Sequence, residues 1–337
     1  MNRHRVLLIG RPLLIPILFM LLLCAAGYAF WRAAAASARA PAPSLYTPVT
    51  PLTPVAPVTP LTPLTPVAPP HRIDTERFIS RGGMEEALAL SEEGLPAAFV
   101  SEPAYAGSLR ALTLPHHAPA ASLLIFALKC LEQAEEKPDT VILLGPNHAN
   151  TGPPAAVTRS LWQTPYGRVD PEEEILDALL GEGLAAESPE QFEQEHSIGF
   201  IVPWLARFLP EAKVVPVIFH DQYPPADLAK LLDALDPWLN AHTLLLVSVD
   251  FSHHHNREEA ANLDRTTASL LQNGDWRGIA ALDSNYLDSS TLVAALLRYG
   301  QAKGWEGPDI VAHTNSGYLT GVGNQEVTSY FVLSFTE

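Results

Sequence analysis

Beyond residue 70 the chain alternates short apolar runs with longer stretches in which apolar residues recur every three or four positions. Runs of the first kind indicate strands, and stretches of the second kind indicate helices. The predicted strands are 110–114, 140–145, 213–219, 243–250, 309–314 and 327–335. The predicted helices lie near 84–93, 120–136, 171–186, 198–209, 226–240, 256–273 and 289–303. This alternation predicts a single α/β domain with a mostly parallel or mixed sheet flanked by helices.

The N-terminus has a different pattern. Arg3, Arg5 and Arg11 precede the apolar run PLLIPILFMLLLCAAGYAFW, which is long enough for a helix that crosses a bilayer. The basic flank favours a cytoplasmic N-terminus, so we predict that residues 1–40 anchor the chain in the cell membrane with the C-terminal domain outside the cytoplasm. A cleavable signal peptide of a secreted protein is the alternative, because ASARA at 36–40 contains the small residues of a cleavage site.

Residues 41–70 form a segment rich in proline and threonine, with proline at every third position from Pro48 to Pro69. A polyproline II helix has three residues per turn, so this spacing predicts an extended linker. The predicted organisation is therefore an anchor or signal segment, a linker, and an α/β domain at 71–337.

Charge, cysteine content and missing motifs exclude several functions. All 37 acidic residues lie beyond residue 70, which disfavours nucleic acid as a partner of the domain. The two cysteines, Cys24 and Cys130, provide neither a disulfide framework nor a thiolate metal site. The sequence also lacks GxGxxG, GxxxxGK[ST] and GxSxG, the fingerprints of nucleotide-binding folds and of α/β hydrolases.

Histidines follow three of the predicted strands. RALTLPHH contributes His116 and His117, VILLGPNH contributes His148, and LLLVSVDFSHHH contributes Asp250 and His253. In a parallel sheet these strand ends meet at one edge, where ligands bind, so we expect the imidazoles to share one site. Imidazole is a common metal ligand, although each histidine could equally be a loop residue without a role.

Longer motifs give the chain a resemblance to a known family. LPHHAPA, ILLGPNHANTG, WQTPYGRVD, EQEHSIGFIVPWL and VSVDFSHH occur in this order. Together they resemble the MEMO family, which includes the AmmeMemoRadiSam system protein B and is similar in structure to class III extradiol dioxygenases. The resemblance covers about residues 105–337. It implies a site at the carboxyl edge of an α/β core.

The resemblance also implies a set of metal ligands. They are His116, with His117 as the alternative, His148, and Asp288 at a position where some animal members have cysteine. Asp288 could equally cap the helix predicted to begin near residue 289. A carboxylate in place of a thiolate makes Fe(II) the favoured divalent metal, with Mn, Zn or Cu as other candidates.

Catalytic roles are implied for Asp250 and His253. His253 is expected to act as a general base whose ring is oriented by a neighbour such as Asp250. Glu195 and His196, from the EHS motif, are either a second pair beside the metal or residues that begin a helix. Gly199 stands where the family often has glutamate, and this departure alters the expected pocket.

We therefore expect a metal-dependent, dioxygenase-like oxidoreductase, although the fold alone does not establish that the chain is an enzyme. Two alternatives stay open: a domain that binds a metal or a peptide without turnover, and a metal-dependent hydrolase. The expected partners are a small-molecule or peptide ligand in the cleft, the membrane through the N-terminal helix and, by resemblance, components of a radical-SAM system.

Overall fold

A computed structural model describes residues 70–101, 109–132, 137–321 and 326–337. Its strands are β1 (Arg72–Asp74), β2 (Leu109–Leu114), β3 (Thr140–Pro146), β4 (Ala155–Val157), β5 (Leu161–Thr164), β6 (Gly167–Val169), β7 (Ala186–Glu187), β8 (Lys213–Phe219), β9 (Thr243–Ser248), β10 (Glu306–Asn315) and β11 (Ser329–Thr336). Its α-helices are α1 (Arg81–Glu92), α2 (Ala121–Glu132), α3 (Glu173–Gly181), α4 (Pro189–Phe192), α5 (His196–Gly199), α6 (Val202–Phe208), α7 (Pro225–Leu235), α8 (Arg257–Gln272), α9 (Trp276–Ala280), α10 (Ser290–Lys303) and α11 (Ser316–Leu319).

Eight of these strands form one mixed sheet in the order β10-β11-β2-β9-β3-β8-β4-β7. The four central strands β2, β9, β3 and β8 are mutually parallel, whereas β11 runs antiparallel to β2 and β4 runs antiparallel to β8. Strands β1, β5 and β6 form a separate three-stranded sheet. The eight-stranded sheet confirms the prediction of an α/β domain with a mixed sheet. Because the central strands are parallel, their carboxyl ends meet at one edge of that sheet.

The central strands are buried on both faces. Along β3, Val141 and Leu143 join a core that includes residues of α2 and α6, whereas Ile142 and Leu144 join a second core that includes residues of α7 and α10. Successive side chains of a strand point to opposite faces, so a strand covered on both sides reads as a continuous apolar run. Close packing on both faces therefore fixes where the central strands lie.

The prediction of a membrane-anchored chain is wrong for the part of the chain that the structure describes. None of the described helices combines the length and the apolar character needed to cross a bilayer. The apolar run on which that prediction was based, within residues 1–40, lies outside the described residues, as does the proline-rich segment up to residue 69.

Candidate metal centre

The parallel strands deliver three of the predicted site residues to one place. His116 follows the end of β2 by two residues, His148 follows β3 by two, and Asp250 follows β9 by two. Strands β2, β9 and β3 are neighbours in the sheet, so equal offsets bring these side chains to the same edge. The site therefore arises from the register of three buried strands.

Three imidazoles cluster at this edge. One ring nitrogen from each of His116, His148 and His196 lies within 4.8 Å of the others. The rings of His148 and His196 stack with centroids 4.1 Å apart, and the ring of His116 meets each of them edge-on at 5.1 Å. His116 is buried, whereas His148 and His196 are exposed, so the cluster opens to solvent. These residues could hold a metal ion.

Two of the histidines are fixed through their Nδ1 atoms. Nδ1 of His116 lies 2.9 Å from the hydroxyl oxygen of Ser248, and Nδ1 of His148 donates to the carboxylate of Glu195 at 2.8 Å. Such partners on the far side of a ring select the tautomer and orient the ring of a metal-ligating histidine. Nε2 of each ring is therefore the nitrogen that is available at the centre.

Asp288 contributes a carboxylate to the same place. Its Oδ2 lies 3.1 Å from Nε2 of His116 and 3.8 Å from Nε2 of His148. Its Oδ1 is buried and has no hydrogen-bond partner among the described residues. The alternative role as a helix cap is not what the structure shows, because the N-cap residue of α10 is Ser289.

Buried carboxylates set the protonation of His116 in the metal-free protein. Burial acts to lower the pKa of His116, but the nearby charges of Asp250 and Asp288 outweigh it and raise the pKa to about 9. Burial also raises the pKa of Asp250. His116 is therefore a buried cation at neutral pH, and it must release a proton before its Nε2 can bind a metal.

The pKa values of His196 and Glu195 are lowered, whereas the pKa of His116 is raised. Partial burial of the ring and electrostatic interactions with His148 and His116 lower the pKa of His196 to about 4. Burial acts to raise the pKa of Glu195, but hydrogen bonds and the charge of His148 outweigh it, so this pKa is lowered. At neutral pH His196 is therefore an uncharged imidazole, the form in which a histidine binds a metal, and Glu195 is ionised.

Glu195 begins a helix, as one reading of its motif suggested, and it also contacts His148. Its Oε1 accepts from the backbone N–H of Ser197 at 2.9 Å, so it caps α5. The same carboxylate holds the ring of His148 and accepts from the backbone N–H of His148 at 2.8 Å. The carboxylate that caps α5 therefore also fixes the ring and backbone of His148.

Two predicted residues have other contacts than expected. Nδ1 of His117 lies 2.8 Å from the hydroxyl of Tyr330, and burial lowers the pKa of His117. Nδ1 of His253 lies 3.1 Å from the carbonyl oxygen of Phe251, while Asp250 accepts from the backbone N–H of His116 at 3.1 Å. The expected contact between Asp250 and His253 is thus replaced by one between Asp250 and His116.

Ser248 and Tyr330 were not predicted as partners of the histidines. Ser248 is the last residue of β9, two positions before Asp250, so its side chain points to the same face, and this spacing could have identified it. Tyr330 lies near the start of β11. Because β11 is antiparallel to β2, its first residues reach the carboxyl edge of the central strands, and this follows only from the strand order.

Known proteins are similar in sequence to this chain over most of the α/β domain. Residues 92–333 match the family model for Memo-like protein. A MEMO1 family protein of Caldivirga maquilingensis is 28% identical over 194 residues, covering 55% of this chain and 68% of that protein. A MEMO1 family protein of Methanosarcina mazei is 28% identical over 191 residues, covering 54% of this chain and 70% of that protein. A third, from Thermotoga neapolitana, is 29% identical over 205 residues, covering 58% of this chain and 70% of that protein. The matched family region includes every residue of the histidine cluster and Asp288, and the chain belongs to the Memo-like protein family.

Proposed function

We propose that this protein binds one divalent metal ion at the carboxyl edge of its sheet, through His116, His148 and Asp288, with His196 as a further donor. The observation that carries the proposal is the convergence of the two Nε2 atoms on one carboxylate oxygen, at 3.1 and 3.8 Å. Neighbouring ligands at about 2.1 Å from a metal lie about 3.0 to 3.4 Å from one another. The separations in the metal-free site are close to that range.

The unpaired oxygen of Asp288 supports the same proposal. A buried carboxylate oxygen without a partner is costly, and most buried polar atoms in proteins are hydrogen-bonded. Oδ1 of Asp288 has no partner among the described residues, whereas Oδ2 accepts from the backbone N–H of Asp250 at 3.1 Å. A metal ion held by the Asp288 carboxylate would offset the charge of this incompletely hydrogen-bonded group.

The donor set favours Fe(II). Imidazoles with one carboxylate suit Fe(II), Mn(II) or Zn(II), whereas Cu(I) prefers thiolates. Two histidines and a carboxylate form the triad of non-haem iron oxygenases, which supports dioxygenase-like redox chemistry as the proposed activity. Iron bound in such a triad supplies the redox chemistry that activates O₂.

The remaining residues of the site have separate tasks in this proposal. Ser248 and Glu195 fix the tautomers of the two histidine ligands. His253, which follows β9 at the same edge, accepts a proton from the substrate, because an imidazole can act as a base near neutral pH. The exposed side of the cluster, at His148 and His196, admits a small-molecule or peptide ligand.

An iron titration of the full-length protein under anaerobic conditions tests the ligand set. We expect Asp288→Asn to weaken Fe(II) binding at least about 10-fold, and His196→Ala to weaken it less, because His196 is the supplementary donor. The exposed His242 provides the matched control, so His242→Ala should bind Fe(II) like the natural protein. Unchanged Fe(II) affinity in Asp288→Asn would contradict the role of that carboxylate.

Oxygen uptake with catechol substrates tests the redox activity. The iron-loaded protein should consume O₂ together with formation of a ring-cleavage product, and His253→Ala should lose turnover while it keeps its iron. Hydrolysis of ester or phosphate reporters by the metal-loaded protein, without oxygen uptake, would instead indicate a hydrolase. A metal-loaded protein that is inactive in both assays would indicate a binding domain.

A further inference from the structure

The ring of Phe78 lies directly on the backbone of Gly199. A Cβ atom at Gly199 would lie 2.2 Å from Cε2 of Phe78 and 2.4 Å from both Cδ2 and Cζ. Carbon atoms in contact are normally about 3.5–4.0 Å apart. Any side chain at position 199 would therefore displace the ring. The bare backbone of Gly199 is the surface on which the Phe78 ring packs, and we call this surface the seat of Phe78.

This seat lies on the helix that carries His196. His196 is the first residue of α5 and Gly199 is its last, and residues three positions apart lie on the same side of a helix. The imidazole of His196 stacks on His148, and no side-chain hydrogen bond within the described residues holds it. Its nearest carboxylate oxygen, on Glu195, is 3.7 Å from Nδ1. The position of the His196 ring therefore depends on where α5 is placed.

Phe78 belongs to a segment that is itself firmly attached. Strand β1 pairs in parallel with β5, and Oγ1 of Thr75 donates to the carbonyl oxygen of Gln163 at 3.1 Å. Nη1 of Arg77 donates to the carbonyl oxygen of Glu193 at 2.6 Å, three residues before His196. The ring of Phe78 is thus delivered to α5 by a segment with its own sheet pairing and hydrogen bonds.

We infer that Phe78 is a positioning residue of the metal centre: seated on Gly199, it fixes α5 so that His196 lies beside His116 and His148. This inference depends on the proposed metal-binding function. Phe78 lies ahead of residues 92–333, which match the family model, so the part of the chain in front of the family-matched region contributes to the site.

Co(II) binding to the full-length protein tests the inference, because Co(II) reports both affinity and ligand geometry through its visible absorption. Gly199→Ala should weaken Co(II) binding about 3- to 10-fold, no more than His196→Ala does, and alter the absorption spectrum. In the Phe78→Ala background the same alanine has room, so its effect should fall below about twofold. Phe78→Leu should restore most of the affinity that Phe78→Ala loses.

Gly181→Ala is the matched control, because Gly181 is also helical and a Cβ there would meet nothing within 4 Å. Singly substituted proteins that bind Co(II) as tightly as the natural protein, with the same spectrum, would overturn the inference even if their stability falls. If Gly199→Ala does not fold, the comparison of Phe78→Ala with Phe78→Leu decides. A natural protein that binds no Co(II) would overturn the proposed metal site itself, which is a different result.

Discussion

Glu195 accepts two hydrogen bonds from His148. One carboxylate oxygen accepts from the backbone N–H of His148 at 2.8 Å, and the other accepts from Nδ1 of its ring at 2.8 Å. The second oxygen also accepts from the backbone N–H of Ser197. One buried side chain therefore joins the end of β3 to the start of α5, and it orients the imidazole that follows β3.

Glu195→Gln should weaken metal binding about 10- to 100-fold, the usual effect of losing a partner of a ligating histidine. All three partners of this carboxylate are donors, so the amide NH₂ of glutamine must face a donor in either orientation. Isothermal titration with Fe(II) or Zn(II) measures the loss. Glu182→Gln, at an exposed glutamate, should have no effect. Equal affinity in Glu195→Gln would show that this carboxylate does not support the ligand.

Gly145→Ala should destabilise the protein by about 1–3 kcal/mol, as overpacking in a tight core does. A Cβ at Gly145 would lie 2.6 Å from Oγ and 3.0 Å from Cβ of Ser197, and 3.2 Å from Cδ1 of Ile198. The glycine thus lets α5 approach the end of β3. Urea denaturation of the metal-free protein measures the loss. A free energy of unfolding equal to that of the natural protein would mean that α5 moves away at little cost.

The stability of the metal-free protein should fall as the pH rises through about 9, because of His116. Its pKa is raised from 6.5 to about 9 on folding, so its stabilising contribution is complete below pH 6.5 and is lost above pH 9. The full contribution is on the order of 3 kcal/mol. The difference in unfolding free energy between the natural protein and His116→Gln should therefore decrease between pH 6.5 and 9.5. A constant difference across that range would contradict the raised pKa.

The sequence predicts the central part of the fold well, for a physical reason. The strand predicted at 213–219 coincides with β8, and the strand predicted at 140–145 is one residue shorter than β3, because strands buried on both faces are continuous apolar runs. The short strands β4 to β7 have two to four residues each and were not predicted. Segments that short hold too few residues to show a period.

The site was less predictable than the strands. Placement after parallel strands was sufficient to bring His116 and His148 together. Asp288 entered through the family resemblance, and it reaches 3.1 Å from His116 beside Asp250, whose carbonyl oxygen accepts from the backbone N–H of Asp288. The approach of His196 depends on the packing of α5, and the contact of Phe78 with Gly199 joins residues 121 positions apart without any local pattern. Contacts of this kind are properties of the tertiary structure.

Elemental analysis of the full-length protein, purified under anaerobic conditions, tests the central claim most directly. We expect about one equivalent of iron, manganese or zinc per chain, and less than about a tenth of that in the His116→Ala/His148→Ala variant, because both fixed imidazoles are then absent. His242→Ala should keep the full amount. Equal metal content in the natural protein and the double variant, or no metal in the natural protein even after reconstitution, would contradict a metal centre at the carboxyl edge of the sheet.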